Sequence, residues 1–115
     1  MAIFHILSSA EWTSALAAGI YSPAGLAKDG FIHLCEDRQL LAVARRYFRD
    51  QSDLLVLSLR EDQLHAEVRR EIVHDEVFPH LYGTLNLEAV IEVAALLRSP
   101  SGNFALPNEW LPFRR

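Results

Sequence analysis

Several features that would assign this sequence to a special class of protein are scarce or absent. Cysteine occurs once, at Cys35, so no internal disulfide can form and we expect a reducing compartment such as the cytoplasm. No apolar run approaches the roughly 18 residues of a membrane span. The N-terminus lacks the pattern of a signal peptide. The net charge of −4 has the wrong sign for a general nucleic-acid binder, although a local basic patch is compatible with it.

The composition is that of an ordinary globular domain. The chain has 115 residues, of which 50% are apolar and 23% charged, and a chain of this size can bury a core without disulfides. Strand-like and helix-like segments interleave without a regular βαβ period, which predicts a single α+β domain over residues 1–115 with a mixed or antiparallel sheet. Residues 99–115 are rich in proline and are expected to be mostly irregular, with Phe104, Trp110 and Phe113 packed on the body.

Periodicity and turn residues predict the order of the elements. Ser8 and Glu11 form a capping-box pattern, which predicts a helix that ends near Ala18 at Gly19. Strands are predicted at 3–7, 31–35, 54–59, 67–72, 78–82 and 90–97, with the first a central, buried one. A longer helix is predicted at 37–48, single helical turns at 24–28, 61–64 and 87–90, and a polar loop at 73–77.

Three histidines lie inside apolar, strand-like runs. They are His5, His33 and His80, and Pro79 should hold the last segment extended so that His80 and Tyr82 share a face. A single buried, hydrogen-bonded histidine is common in cores, but each desolvated imidazole has a cost that packing alone does not explain. We therefore predict that these three strands bring their histidines to one cleft.

The residues by themselves leave several kinds of chemistry open. Three histidines could bind zinc, but no pair has a local ligand spacing, so we predict no metal site. Cys35 precedes the helix predicted at 37–48, whose first amides could stabilise a thiolate. Glu36 and Asp37 oppose that charge, so a packing role for Cys35 is favoured.

A pocket for a nucleotide or a sugar phosphate is the third possibility. Histidine and tyrosine on adjacent strands could hold ribose hydroxyls or stack on a base or a nicotinamide ring. Phosphates could be met by Arg69 or Arg70, or by a row of arginines that is otherwise a solvated helix face: Arg38, Arg45 and Arg49, with Arg46 beside it. Glu71 would contribute only if it points into the same cleft.

Four segments together resemble one known family. They are Ile3-Phe4-His5-Ile6, then Gly30-Phe31-Ile32-His33-Leu34-Cys35 with Gln39 four residues on, then Arg69-Arg70-Glu71, and Phe78-Pro79-His80-Leu81-Tyr82-Gly83. In this order they are similar to the DUF952 family of small bacterial proteins, and the likeness runs from about Ile3 to Leu97. Cys35 stands where that family usually has serine, and Arg70 where it usually has tryptophan.

The same pattern is similar, more distantly, to ADP-ribosyltransferase-like folds, including the RNA 2′-phosphotransferases. That similarity implies a cleft for NAD or for an ADP-ribosyl or ribose-phosphate substrate, with no tightly bound cofactor. It implies that His5 holds ribose hydroxyls and that His33 lies near the nicotinamide ribose. His80, Tyr82 or Glu71 would then stabilise an oxocarbenium-like centre.

The expectation therefore has two sets of residues and two alternatives. The catalytic candidates are His33, Glu71, His80 and Tyr82, and the ligand-binding candidates are His5, Cys35, Gln39 and Arg69. The expected partner is a small nucleotide-type molecule, with no membrane and no general nucleic-acid binding. A nucleotide-binding module without turnover and a purely structural or interaction protein remain the alternatives, and the oligomeric state is open.

Overall fold

The structure is a computed structural model that describes residues 2–98 and 102–105. Its α-helices are α1 (Ser9–Ala18), α2 (Ala24–Asp29) and α3 (Leu40–Tyr47), and single turns of 3-10 helix lie at Asp37–Gln39, Glu61–Gln63 and Leu87–Ala89. Its strands are β1 (Ala2–Ser8), β2 (Ile20–Tyr21), β3 (Ile32–His33), β4 (Leu54–Arg60), β5 (Glu67–Val73), β6 (Glu76–Tyr82), β7 (Leu85–Asn86), β8 (Val90–Ala95), β9 (Leu97–Arg98) and β10 (Phe104–Ala105).

The strands form small antiparallel sheets, which confirms the predicted α+β class. One three-stranded sheet has the order β1-β4-β8 and another the order β3-β6-β5, while β2 pairs with β7 and β9 with β10. Every named pair is antiparallel. The run at 54–59 is the inner strand of its sheet, as its unbroken apolar sequence predicts.

The segment that follows Gly30 joins the two three-stranded sheets. The strand predicted at 31–35 is regular only over Ile32–His33, where it pairs with β6. The chain then changes partner: the Leu34 amide still donates to the Pro79 carbonyl at 3.1 Å, but the next residue forms an isolated bridge with β1. In that bridge Cys35 and Phe4 exchange backbone hydrogen bonds of 2.8 and 2.9 Å. This short crossing places His33 between the other two histidine-bearing strands.

The core lies on both faces of the β1–β4 pair. Ile3 and Leu7 pack on one face and Phe4 and Ile6 on the other, because successive residues of a strand point to opposite faces. The strand predicted to be central is thus buried on both faces, but among the described residues it pairs along its length only with β4 and meets only Cys35 on its other side. His5 shares the face of Ile3 and Leu7.

The segment predicted as a polar loop at 73–77 is instead a tight hairpin turn. Val73 pairs with Glu76, so only His74 and Asp75 connect β5 to β6. Both have positive φ angles, 51° and 65°, as a two-residue turn of the type favoured in hairpins requires. The turn extends the ladder and sets its register, which pairs Arg69 with His80.

The helix boundaries follow their capping signals. Ser8 caps α1 through a complete capping box with Glu11, and Gly19 ends the helix with a φ of 78°. The helix predicted at 37–48 begins as a 3-10 turn and continues as α3.

Within the described residues the longest helix has 10 residues, and none is long and apolar enough to cross a bilayer.

Of the predicted C-terminal packing residues, only Phe104 lies within the described part of the chain. It is buried and forms the short strand β10 with Ala105 within the segment expected to be mostly irregular. Trp110 and Phe113 lie outside the described residues.

Candidate functional site

A pocket of about 370 Å³ opens where β1, the 31–35 segment and β6 meet. His5, His33 and His80 all line it, as the sequence predicts. We call it the histidine pocket. The rest of its wall is mainly apolar and aromatic, with one carboxylate, and comprises Phe4, Ile6, Glu11, Tyr21, Pro23, Gly25, Leu26, Phe31, Ile32, Leu34, Cys35, Val43, Tyr47, Phe48, Val73 and Phe78.

His5 is buried, and both of its ring nitrogens are engaged. Nδ1 lies 2.7 Å from the His33 carbonyl oxygen, and Nε2 lies 2.9 Å from the Tyr21 hydroxyl. A carbonyl only accepts, so Nδ1 carries the proton and donates, and Nε2 accepts from the Tyr21 hydroxyl. Burial lowers the pKa of His5 to about 4, which agrees with this neutral tautomer. His5 therefore positions Tyr21 and the His33 backbone, and no ring nitrogen is left for a ligand.

His33 and His80 are directly opposite each other in the β3–β6 ladder. Their ring centroids are 5.3 Å apart in an edge-on arrangement, because directly paired residues project to the same face of a sheet. The two rings differ in exposure: the His33 side chain is 63% exposed and that of His80 only 4%. Nε2 of His33 lies 3.1 Å from Oδ2 of Asp29, at the end of α2.

Phe31 covers the buried histidine of this pair. Its ring stacks on His80 with centroids 4.1 Å apart and an interplanar angle of 18°, and it also contacts the rings of His33 and Tyr82. Phe31 is half-buried, so it offers an aromatic surface next to two imidazoles. An aromatic base or a nicotinamide ring has the shape to continue such a stack.

Glu71 binds two of the other candidates with one oxygen. Its Oε1 lies 2.8 Å from Nδ1 of His80 and 2.5 Å from the Tyr82 hydroxyl, which donates to it. The strands bring these residues together because Glu67, Arg69 and Glu71 of β5 face the same way as His80 and Tyr82 of β6. The Arg69 guanidinium lies over the Tyr82 ring, 4.2 Å from its centroid. Glu71, Tyr82 and Arg69 form a polar rim next to the histidine pocket.

The hydrogen bonds of the rim hold Glu71 ionised. The Tyr82 hydroxyl, and after it the His80 imidazole, lower the pKa of Glu71, and the same carboxylate raises the pKa of Tyr82. An ionised carboxylate only accepts, so Nδ1 of His80 carries the proton of that bond. In neutral His80 the lone pair is therefore on Nε2, which makes that nitrogen the basic one.

Comparison with known proteins identifies the family. The model of the family described as "Protein of unknown function (DUF952)" matches residues 6–93. The chain belongs to the DUF952 family. The matched range contains the whole polar rim and two of the three pocket histidines, with His5 one residue before it.

Solved structures of a DUF952 relative have the same fold. The X-ray structure of protein CC0527 from Caulobacter crescentus is 34% identical, covers 91% of this chain and 94% of its own, and superposes with a TM-score of 0.83. The solution NMR structure of CC0527 is 33% identical, covers 96% and 95%, and has a TM-score of 0.77. A search of curated proteins found no match.

Two of the predicted ligand-binding residues, Cys35 and Gln39, are buried and have the contacts of packing residues. Cys35 is 3% exposed, and burial raises the pKa of its thiol to about 12, which disfavours a thiolate. Gln39 is buried outside the histidine pocket: its Nε2 donates to Glu76 and to the Val77 carbonyl at 3.1 and 2.9 Å, and its Oε1 accepts from the Glu36 amide. The structure thus places Gln39 as a link between the start of α3 and β6, away from the pocket.

The arginines of this DUF952 chain are divided among different surfaces. Arg70 lies on the opposite face of β5 from Glu71 and forms a two-pronged ion pair with Glu61. Arg38 pairs with Glu36 and Glu76. Three others line a second pocket beside the first: Arg45, Arg46 and Arg49.

Two pocket residues that sequence reasoning did not select are Tyr21 and Phe31. Tyr21 lies on β2, which pairs with β7, and its hydroxyl reaches His5. No local sequence pattern predicts that pairing. Phe31 shares the face of His33 in the predicted strand, so the sequence predicts that it lies beside that histidine. Its stacking on His80 depends on the pairing of β3 with β6. Within the described residues of this DUF952 member, no group of three or more potential ligands is arranged to hold a metal ion.

Proposed function

We propose that this DUF952 protein binds NAD or a related ribose-phosphate nucleotide in the histidine pocket and acts on its ribosyl carbon, as an ADP-ribosyl- or phosphotransferase-like enzyme. The observation that carries the proposal is the carboxylate of Glu71, bound by His80 and Tyr82 beside the pocket. A fixed negative charge next to a basic imidazole is suited to a reaction in which positive charge develops on a sugar.

The size and lining of the histidine pocket support a ligand of this class. A volume of about 370 Å³ is within the range of small-molecule sites. Phe31 and His33 offer ring surfaces for a planar heterocycle, and the partly exposed Asp29 and Glu71 carry negative charge near a cationic nicotinamide. His5 and Tyr21 hold one wall in place from behind.

The reaction uses groups that these contacts already orient. The bond between the ribosyl C1′ and nicotinamide N1 breaks, its electron pair leaves with the neutral nicotinamide, and positive charge develops on C1′ and the ring oxygen. Glu71 stabilises that charge. A hydroxyl of water or of an acceptor then attacks C1′, and its proton passes to Nε2 of His80, whose Nδ1 proton is held by Glu71.

A binding module without turnover is the second candidate. The observation that favours it is the burial of His80, only 3% exposed beneath the ring of Phe31. A nucleotide could stack on Phe31 and contact His33 without reaching the buried imidazole. In this reading the rim is a rigid support and the protein senses or stores its ligand.

Titration with NAD, ADP-ribose and nicotinamide, with products followed by chromatography, separates these functions. Nicotinamide release from NAD supports the enzyme, and binding without product supports the module. If neither binding nor product is observed, both proposed functions are contradicted. Glu71→Gln should lower turnover by about 10²-fold or more, the scale of losing one electrostatic stabiliser of a transition state. Glu92→Gln is the matched control, because Glu92 is exposed on β8 of the other sheet.

A further inference from the structure

The second pocket has a volume of about 390 Å³ and adjoins the histidine pocket. Four residues line both pockets, namely Val43, Tyr47, Val73 and Phe78. Its wall includes three arginines, Arg45, Arg46 and Arg49, from α3 and the turn after it, and His74 from the β5–β6 turn. The two pockets therefore share part of one wall and differ in the charge of their other residues. We call the second pocket the arginine pocket.

The arginines of this pocket are not paired with carboxylates elsewhere in the described part of the chain. Arg45, Arg46 and Arg49 are exposed and form no ion pair with a described residue. The carbonyls of Arg49 and Gln51, just past α3, are instead bound by the Arg98 guanidinium. Arg98 thus binds the backbone just past α3, and none of the three arginine side chains takes part in these bonds.

The one carboxylate in the arginine pocket is already engaged. Oε1 of Glu76 lies 3.7 Å from the Arg38 guanidinium and accepts from Gln39 at 3.1 Å. Arg46 lies near the Tyr47 ring, 5.7 Å from its centroid, so one of the cations stands beside a residue that the two pockets share. A protein with a net charge of −4 thus concentrates positive charge without an ion-pair partner among the described residues in the arginine pocket.

We propose that the arginine pocket is an anion subsite that holds the phosphate or diphosphate of a nucleotide whose ribosyl end occupies the histidine pocket. Its role in a nucleotide complex rests on the function proposed above, but the anion site itself does not. Guanidinium groups form paired, charge-assisted hydrogen bonds with phosphate oxygens. The histidine pocket, by contrast, has the carboxylates of Glu11 and Asp29 in or beside it. The two adjoining pockets are therefore complementary to a molecule that is anionic at one end and neutral or cationic at the other.

The probe for the subsite is inorganic pyrophosphate, titrated by calorimetry and by NMR of the arginine side chains in the full-length protein. We expect binding that weakens with added salt and shifts the resonances of Arg45, Arg46 and Arg49. Arg45→Gln/Arg49→Gln should weaken it by about tenfold or more, as the loss of one charge-assisted hydrogen bond implies. Arg60→Gln is the control, since Arg60 is an exposed arginine that lines neither pocket, and it should change binding by less than about twofold.

A second titration separates this inference from the proposed function. ADP-ribose carries a diphosphate and nicotinamide riboside carries no phosphate, so the double variant should weaken ADP-ribose binding and spare the riboside. Pyrophosphate binding lost in the variant, with no ADP-ribose binding at all, retains the anion subsite and overturns the proposed ligand. ADP-ribose or pyrophosphate binding that the double variant leaves unchanged overturns the subsite, and so does absence of pyrophosphate binding to the unmodified protein. Thermal melts of the variants confirm that folding is intact, as expected for exposed positions.

Discussion

Nδ1 of His80 donates a hydrogen bond of 2.8 Å to Oε1 of Glu71 across the β5–β6 hairpin. The bond joins an imidazole that is almost fully buried to a carboxylate whose side chain is 38% exposed. It selects the tautomer of His80, and it connects the interior of the histidine pocket to the rim where Tyr82 binds the same oxygen. The predictions below test this connection and the packing around it.

The ionisation of Glu71 should depend on Tyr82. The Tyr82 hydroxyl is the largest cause of the lowered pKa of Glu71, so Tyr82→Phe should raise the midpoint of the Glu71 carboxyl in an NMR titration. Tyr47→Phe should leave that midpoint in place, because the Tyr47 hydroxyl is not bound to Glu71. Since the folded-state pKa is depressed, the stabilisation from Glu71 is present at neutral pH and is lost as pH falls through that lowered value. An unchanged midpoint in Tyr82→Phe would mean that the short bond is absent in solution.

His80→Ala should lower the free energy of unfolding by about 1–3 kcal/mol, because it removes a buried ring and one partner of Glu71. Tyr82→Phe should cost less, since it makes no cavity and Glu71 stays accessible to water. Leu57→Ala is the core reference, at about 2–5 kcal/mol for a fully buried leucine. Chemical denaturation measures all three. Losses in both site variants as large as that of Leu57→Ala would mean that residues 78–83 serve folding, and His33 would be the one histidine left as a site candidate.

The stability of the protein should fall between neutral pH and pH 4 through His5. Burial lowers the pKa of this histidine from 6.5 to about 4, so in that interval the unfolded chain binds a proton that the folded chain does not. Stability from His5 is therefore full above the unfolded pKa and decreases as pH falls toward 4, by at most about 1.4 kcal/mol per pH unit. His5→Gln removes the titrating group and should flatten the curve relative to the unmodified protein. Parallel curves would contradict the buried neutral state.

Gly83→Ala should destabilise the end of β6. A Cβ at Gly83 would lie 2.7 Å from the Cβ of Ala66, and that atom cannot move without its backbone. We expect a loss of about 1–3 kcal/mol in denaturant unfolding, the scale of overpacking. Gly25→Ala is the matched control: a Cβ there meets nothing within 4 Å, and alanine in α2 should stabilise by about 0.5–1 kcal/mol. Equal effects of the two changes would refute the close approach.

Cys35 should be unreactive in the folded protein. Burial raises the pKa of its thiol to about 12, and thiolate is the nucleophile toward alkylating reagents. Iodoacetamide at mildly alkaline pH should therefore modify Cys35 slowly under native conditions and rapidly in denaturant, as followed by mass spectrometry. Rapid native labelling would instead reopen the thiolate alternative that the buried environment disfavours.

The sequence by itself determined the elements whose signals are local. The capping box of Ser8 and Glu11 and the glycine at 19 set the bounds of α1, because capping involves only near neighbours along the chain. The unbroken apolar run at 54–59 indicated an inner strand, and alternation in the 67–72 run indicated that Glu67, Arg69 and Glu71 share a face. The apolar settings of His5, His33 and His80 likewise predicted that the three would be found together, as they are.

Only the tertiary structure decided which atoms meet. The pairing of His33 with His80 and the reach of Glu71 to Tyr82 depend on strand register, and register here follows from a two-residue turn. Neither His74 nor Asp75 is a glycine, so the sequence did not announce the left-handed backbone of that turn. Gln39 lies near His33 along the chain, but its amide donates to the Val77 carbonyl at the start of β6. Side-chain direction at such positions is set by partners that are distant in sequence, and no local pattern encodes them.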